Sequence, residues 1–271
     1  MTNQHILITG GAGSIGSELT RQLYRDNTVF IFDNNETALF DLVEELGIQG
    51  RIGDIRDPQA LASIIDTFGY PDIVFHSAAL KHVTPSMQTP REYVQTNIVG
   101  TLNLLEIFAK NSLFINISSD KATQTENVMG WTKRGTELFT RIYGGISVRF
   151  GNVLGSRGSV IPIWQKQIDE GRPITVTDPR MERYFMTIKD AVSLVIKAAT
   201  SGKPGDIYIL DMEQNRVNVL ALAKDIINKT GRDIPINIIG SRPGEALSEH
   251  LMTPHEKENA IKEKDFYILR R

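Results

Sequence analysis

The sequence predicts an α/β fold built on a Rossmann-like order of elements, a doubly wound parallel sheet of about seven strands. Short apolar runs rich in β-branched residues alternate with segments whose apolar residues recur at helical spacing. Glycines or small residues follow several of these runs, as tight turns from strand to helix require. We therefore predict a large domain over residues 1–150. Residues 151–271 are expected to form mainly a smaller lobe, with some segments returning to the large domain.

Composition limits the class of protein. A chain of 271 residues with 41% hydrophobic and 23% charged residues is typical of a soluble globular protein with an ample core. The net charge of -2 gives no basic surface for nucleic acid or anionic membranes. There is no cysteine, so disulfides and Cys-based metal sites are excluded, and we predict no metal and a cytoplasmic location. No apolar run reaches the roughly 20 residues of a membrane span, and the first residues lead into a strand instead of a signal peptide.

The first strand, HILIT, leads into the glycine-rich stretch GGAGSIG and then into a helical pattern over residues 14–25. Such a turn lets the backbone approach a pyrophosphate while the N-terminus of the helix supplies amide donors. Glycines at this GxxGxxG spacing also form plain turns, so the motif is weak by itself. The residues predicted to bind the cofactor here are Gly10, Gly13, Ser14, Ile15 and Gly16.

The carboxylate of Asp33 strengthens the prediction of a dinucleotide site. The second strand, TVFIF, ends at Asp33, about 20 residues after the glycines, where an acid accepts hydrogen bonds from a ribose. A carboxylate there would repel a 2′-phosphate, and no arginine follows it in DNNET. The pairing predicts a Rossmann-type dinucleotide site that prefers NAD, with NADP as the alternative.

The next two strand ends extend this site. The third strand, IQGRI, precedes Gly53, and the fourth, DIVFHSA, ends in small residues that leave room for a dinucleotide. Lys81 and His82 follow, either as a surface pair or as contacts to cofactor or sugar. Asn97, in a helical segment over about 90–110, is either a site residue or a buried hydrogen-bonding residue. The predicted cofactor contacts in this part are Asp54, Ile55, Ala78, Ala79 and Lys81.

The candidate chemistry follows the fifth strand, Phe114 to Ile117. Asp120 and Lys121 stand side by side at its end, a possible acid and base at the sheet edge where α/β proteins bind ligands. Met129 and Lys133 are four residues apart and share one face of the next helix. The alternative interpretation is a solvated Asp-Lys turn before a surface helix.

Seven motifs together resemble the extended short-chain dehydrogenase/reductase superfamily. They are similar, more narrowly, to the nucleotide-sugar 4,6-dehydratases of polysaccharide and flagellin-glycan biosynthesis, the inverting UDP-N-acetylglucosamine group. The resemblance covers nearly the whole chain. The motifs are ITGGAGSIGSEL, SAALKHVTP, TNIVGTLNLLE, SSDKATQTENVMGWTK, VRFGNVLGSRGSVIP, DPRMERYFMT and RPGEALSEHL.

The resemblance implies catalytic roles. It places the group's hydroxyl residue on Ser119, its acid on Asp120, its base on Lys121 and the superfamily's helix lysine on Lys133, which is also expected to bind the cofactor. Where most superfamily members carry tyrosine, this chain has Met129, which cannot take a proton. Some members of the dehydratase group also have methionine there, so the C4 base is left open while activity is still expected.

The implied reaction oxidises the sugar C4, removes the C5 proton, expels the C6 hydroxyl as water and returns hydride to C6, with NAD tightly bound and recycled. Lys121 suits the C5 base if burial or the charge of Lys133 lowers its pKa, and Asp120 suits the C6 acid. A UDP-sugar 4-epimerase shares the oxidation but needs no elimination pair. A nonenzymatic dinucleotide-sensing protein is suggested by Met129 alone.

The second half of the chain is predicted to bind the UDP-sugar. Arginine's planar fork suits a diphosphate, although each arginine by itself fits a solvated surface. The resemblance favours Arg157 and Arg242 for that role and gives Glu245 the nucleoside ribose. A homo-oligomer is expected, and the charged tail 257–271 is expected to lie at the surface. The predicted substrate-binding residues are Lys81, Asn152, Arg157, Arg183, Arg242 and Glu245.

Overall fold

The computed structural model describes residues 1–270, which contain a central nine-stranded sheet and two small sheets. The strands are β1 (His5–Thr9), β2 (Thr28–Asp33), β3 (Gln49–Ile52), β4 (Ile73–His76), β5 (Leu113–Ile117), β6 (Ile146–Arg149), β7 (Asn152–Val153), β8 (Ile174–Val176), β9 (Glu182–Met186), β10 (Ile207–Leu210), β11 (Arg216–Asn218), β12 (Ile236–Ile238), β13 (Ile261–Lys262) and β14 (Phe266–Leu269). The helices are α1 (Ser14–Leu23), α2 (Glu36–Leu46), α3 (Pro58–Phe68), α4 (Val83–Gln88), α5 (Pro90–Tyr93), α6 (Gly100–Phe108), α7 (Val128–Ile142), α8 (Val160–Asp169), α9 (Ile188–Ser201), α10 (Val219–Thr230) and α11 (Pro254–Asn259).

The central sheet runs in the order β3-β2-β1-β4-β5-β6-β10-β14-β13. Its first seven strands are parallel, and β14 and β13 add to one edge antiparallel. The predicted doubly wound parallel sheet is therefore confirmed.

The prediction of a surface tail is wrong for the last strand. Residues Tyr267, Ile268 and Leu269 are buried, because β14 pairs with β10 and places Ile268 opposite Tyr208. The apolar run FYIL thus covers a sheet edge that would otherwise leave backbone groups unpaired.

Helices cover both faces of the sheet, as alternation of side chains along β1 shows. Ile6 and Ile8 belong to the core on one face, with residues of α1 and α9, while Leu7 belongs to the core on the other, with α3 and α6. Strands buried on both faces read as unbroken apolar runs, which explains the pattern HILIT.

The segment predicted as one helix over about 90–110 contains a π-helical turn, Val94–Val99. Asn97 in that turn is buried; its side chain bonds both backbone groups of Leu80 and the hydroxyl of Thr132. Asn97 is therefore a buried hydrogen-bonding residue that fixes the loop after β4.

A smaller apolar cluster lies in the second half of the chain around the fully buried Trp164. Helices α8 and α10 pack there on the two-stranded sheet of β8 and β12, and the indole of Trp164 donates to the Thr175 carbonyl at 2.7 Å. Between these elements the chain runs back through α9 and β10, which belong to the large sheet. Within residues 1–270 no helix is both long and apolar enough to cross a membrane.

Candidate active site

A cleft of about 960 Å³ lies where the carboxyl ends of the central strands meet the second half of the chain. Its walls come from the glycine loop after β1, the loop after β4, the end of β5, helix α7 and the segments 151–164 and 242–249. Ligands of open parallel sheets bind at this edge, because the strand ends and helix N-termini open there.

The glycine loop forms one end of the cleft and leaves no room for larger side chains. Gly10 has φ +66°, and a Cβ atom on it would lie 2.6 Å from the amide nitrogen of Ala78. A Cβ on Gly16 would lie 2.1 Å from the carbonyl oxygen of Gly10. Helix α1 starts at Ser14 without a side-chain cap, so its first amides remain available at the cleft. This backbone suits a pyrophosphate.

Asp33 lies beside that loop. Its carboxylate accepts hydrogen bonds from the amides of Ala12 and Asn35, both at 2.9 Å, and therefore fixes the turn as well as the start of the next loop. Two further residues predicted to contact the cofactor stand at the end of β3, where Asp54 pairs with Arg56 and Ile55 is buried in the core. Their cofactor contacts remain predictions.

Asp120 and Lys121 form the first turn of a 3-10 helix directly after β5. The Ser119 hydroxyl donates to Asp120 Oδ1 at 2.7 Å, and Lys121 Nζ lies 3.0 Å from the same oxygen. The Asp120 carboxyl group is fully buried. The alternative of a solvated Asp-Lys turn is therefore wrong.

Glu249, which the sequence did not single out, completes this cluster. Its Oε1 lies 2.8 Å from Lys121 Nζ and 3.3 Å from Arg183 Nε, and its Oε2 accepts from Asn152 Nδ2 at 3.1 Å. It belongs to the stretch RPGEALSEHL, but nothing in that stretch distinguishes it from the other acids. Only folding brings it to Lys121.

The pKa values of the cluster are pushed apart. Burial and then the charge of Glu249 raise the pKa of Asp120 to about 7. Burial also disfavours the charge of Glu249, but Lys121 and Arg183 outweigh it and lower that pKa to about 2. The pKa of Lys121 is raised, because the two carboxylates outweigh its burial. The condition set above for Lys121 as a base, a pKa lowered by burial or by Lys133, is therefore not met in the resting cluster, where the lysine is an ammonium.

Lys133 and Met129 lie side by side on α7 and line the cleft. Lys133 Nζ donates to the Ile117 carbonyl at 2.8 Å, and burial lowers its pKa to about 8. Met129 is buried, and its amide donates to the Ser86 hydroxyl at 3.2 Å. The helix face predicted from their spacing thus points into the cleft.

The predicted substrate residues all line the cleft, in two arrangements. Arg157 and Arg242 are exposed at its mouth, and Lys81 Nζ donates to the Arg157 carbonyl at 2.7 Å. Arg183, by contrast, is engaged by the Ala246 carbonyl at 2.8 Å and by Glu249. Glu245 accepts from the Arg242 amide at 3.0 Å. Their substrate contacts remain predictions.

Comparison with known proteins identifies the family. Residues 6–271 match the family described as polysaccharide biosynthesis protein. The chain belongs to this family. It is 43% identical to an uncharacterized membrane protein of Methanocaldococcus jannaschii, over 97% of this chain and 85% of that protein. It is 35% identical to Pen from Bacillus thuringiensis, whose X-ray structure superposes with a TM-score of 0.93 over 99% of this chain and 87% of that one.

Two similar proteins are named for different activities. A UDP-N-acetylglucosamine 4,6-dehydratase (inverting) of Campylobacter jejuni is 32% identical over 98% of this chain and 82% of its own length. A UDP-glucose 4-epimerase of Rickettsia rickettsii is 33% identical over 97% and 81%. The probable polysaccharide biosynthesis protein EpsC of Bacillus subtilis is 40% identical, and this chain spans only 45% of its length.

Proposed function

We propose that this protein is a nucleotide-sugar 4,6-dehydratase that acts on UDP-N-acetylglucosamine and serves the synthesis of a surface polysaccharide or glycan. The observation that carries the proposal is the buried Asp120–Lys121 pair at the sheet edge, where a carboxyl group with a pKa of about 7 touches a lysine. Elimination needs an acid and a base at one sugar, and these two groups supply both. The similarity to the Campylobacter jejuni dehydratase supports the same assignment.

The cofactor side of the cleft fits NAD. The uncapped start of α1 and the glycine backbone would hold the pyrophosphate, Asp33 the adenosine ribose and Lys133 the second ribose. The carboxylate of Asp33 disfavours the 2′-phosphate of NADP. When bound, NAD would supply the hydride acceptor for oxidation at C4 and the hydride donor for reduction at C6. The cofactor would thus be regenerated in each turnover and could stay tightly bound.

The resting ion pair becomes an acid and a base by one proton transfer. Moving a proton from Lys121 Nζ to Asp120 Oδ1, across 3.0 Å, leaves an amine and a carboxylic acid. Once C4 is a ketone, the amine takes the acidified C5 proton, while the acid protonates the C6 hydroxyl, which leaves as water. Lys121 is then an ammonium and Asp120 a carboxylate again. When hydride is added at C6, the Lys121 ammonium gives its proton back to C5, and the proton released earlier by the C4 hydroxyl restores the ammonium.

Met129 contributes only an apolar wall to this chemistry, since its thioether cannot take a proton. The proton of the C4 hydroxyl therefore leaves through a relayed water, because its transfer to Lys121 or Asp120 would leave the pair without a base for C5. Ser119, hydrogen-bonded to Asp120 at 2.7 Å, holds that carboxyl group in place.

The deciding experiment is incubation with NAD and UDP-N-acetylglucosamine, followed by mass spectrometry of the sugar nucleotide. Loss of one water is expected. An isomer of unchanged mass would instead support a UDP-sugar 4-epimerase, which the Rickettsia relatives favour. Asp120→Asn is the matched control, because asparagine preserves the shape of the side chain but cannot act as a carboxylic acid. Failure to release water from any UDP-hexose would exclude the dehydratase.

We also propose a homo-oligomer. Trp131, Leu138 and Ile142 are each more than half exposed, and their spacing places them on one face of α7. Light scattering of the wild-type protein beside Leu138→Glu tests this; a monomeric wild type would contradict it.

A further inference from the structure

The C-terminal segment that carries Glu249 is fixed to the turn that carries Asp120 and Lys121. Thr123 Oγ1 donates to the His250 carbonyl at 2.7 Å, and Gln124 Nε2 donates to the Ser248 carbonyl at 3.0 Å. On the other side the fully buried Arg149 donates to the Leu251 carbonyl at 2.9 Å. Three hydrogen bonds thus hold the backbone on both sides of Glu249, so its carboxylate has a defined place in the cluster.

The Asp120 carboxyl group has an unusual hydrogen-bonding environment. Oδ1 receives the Ser119 hydroxyl and the Lys121 ammonium, but no donor within residues 1–270 reaches the buried Oδ2. Asp120 Oδ1 and Glu249 Oε1 lie 3.0 Å and 2.8 Å from the same Lys121 Nζ. Two carboxylates held against one ammonium repel each other, which favours a proton on one of them. Glu249 is the worse candidate for that proton, because Lys121 and Arg183 both stabilise its ionised form.

We infer that Glu249 is a positioning residue: its carboxylate, held against Lys121 opposite Asp120, controls the protonation of Asp120 and thereby sets the pH above which elimination begins. This inference rests on the proposed dehydratase function. The charged groups facing Asp120 are Lys121 from its own turn and Glu249 from the C-terminal segment, with Arg183 of β9 behind Glu249. Burial raises the pKa of Asp120 most, the negative charge of Glu249 raises it next, and Lys121 opposes both.

Turnover should rise with pH, because the Asp120–Lys121 pair then carries one proton fewer. Below about pH 7 Asp120 and Lys121 both carry protons, so no amine can form by transfer between them. As the pH rises through about 7 the pair loses one proton, and turnover should rise with it. Without the charge of Glu249 the pKa of Asp120 falls, and the same rise should occur at lower pH.

The test is the pH profile of kcat for water elimination in Glu249→Gln. The acid limb of this profile, the rise in kcat on its acidic side, should move down by about one to three pH units, the usual effect of one close charge. The KM for the UDP-sugar should change little. Glu258→Gln removes the same charge from an exposed position on α11 and should leave the limb at about 7. An unmoved limb in Glu249→Gln, or turnover in the wild type that falls as the pH rises through 7, would overturn the inference.

A second readout needs no substrate. The carboxylic-acid band of Asp120, assigned in infrared spectra by its loss in Asp120→Asn, should disappear as the pH rises through about 7 in the wild type and at lower pH in Glu249→Gln. If the wild type releases no water but the band shifts as described, the proposed function fails and the role of Glu249 stands. If water is released but neither band nor limb shifts, the role of Glu249 fails alone.

Glu249→Asp provides the conservative variant, and it decides the question if Glu249→Gln does not fold. Aspartate keeps the negative charge but withdraws it by one methylene. The limb should then stay within about one pH unit of its wild-type position, because the charge is retained. A larger fall, or complete loss of the limb, would contradict the inference.

Discussion

Replacing Lys121 with methionine tests the central assignment, because methionine preserves the apolar stem and removes only the amine. The substitution should lower turnover by about 10² to 10⁴-fold, the range for removing a general base. That range corresponds to about 3 to 5 kcal/mol in the activation barrier. The Lys121 side chain is only 17% exposed and lies within 3.0 Å of two carboxyl groups, so no water can take over its place without rearrangement of the cluster.

The same variant should also be less stable, and more so at higher pH. Breaking a buried ion pair costs about 3 to 5 kcal/mol. Since Lys121 opposes the rise in the Asp120 pKa, its removal raises that pKa above 7. When folding raises the pKa of a carboxyl group, the folded protein loses stability as the pH rises from the pKa of that group in the unfolded state to its pKa in the folded state. Thermal melts of Lys121→Met in buffers below and above pH 7 should therefore differ more than those of the wild type.

Two assays separate the steps. Mass spectrometry of the product follows water loss, and proton NMR in deuterated solvent follows exchange at C5. A Lys121→Met variant that forms the 4-keto sugar but exchanges no C5 proton would place the lysine at C5. If it is nearly as active as the wild type, the reasoning is refuted, and Lys81 and His82, which also line the cleft, are the next candidates for the base.

Three further predictions concern the rest of the cleft. Asp33→Asn should weaken the binding of NAD, measured by calorimetry, and reduce the preference for NAD over NADP. The side-chain amide of asparagine has one acceptor oxygen and cannot accept from the backbone amides of both Ala12 and Asn35, so one amide loses its hydrogen bond at a cost of about 1 to 3 kcal/mol. A wild-type protein that binds NADP as tightly as NAD would contradict this prediction. Arg157→Ala and Arg242→Ala should each raise KM for the UDP-sugar more than they lower kcat, since a diphosphate remote from C4 to C6 gives uniform binding, and the reverse result would remove these arginines from that site. Met129→Ala should keep most elimination activity in the mass assay, and a loss as large as that of Lys121→Met would show that the thioether does more than form a wall.

The sequence alone determined the features that depend on neighbours along the chain. The alternation of strands and helices, the glycine loop before α1 and the placement of Asp120 and Lys121 at the end of β5 follow from local pattern and turn chemistry. The spacing of Met129 and Lys133 fixed a shared helix face for the same reason, since residues four apart stand above one another.

Tertiary structure decided what depends on distant segments. Glu249 reaches Lys121 only because hydrogen bonds from Thr123 and Gln124 dock a stretch from the far end of the chain, and the FYIL run becomes a buried strand only because β10 offers an unpaired edge. The protonation state of Lys121 also depends on the tertiary structure. The sequence could not give the direction of the Lys121 pKa shift, because burial opposes the charge of the lysine while the carboxylates that fold around the ammonium stabilise it, and these carboxylates outweigh burial.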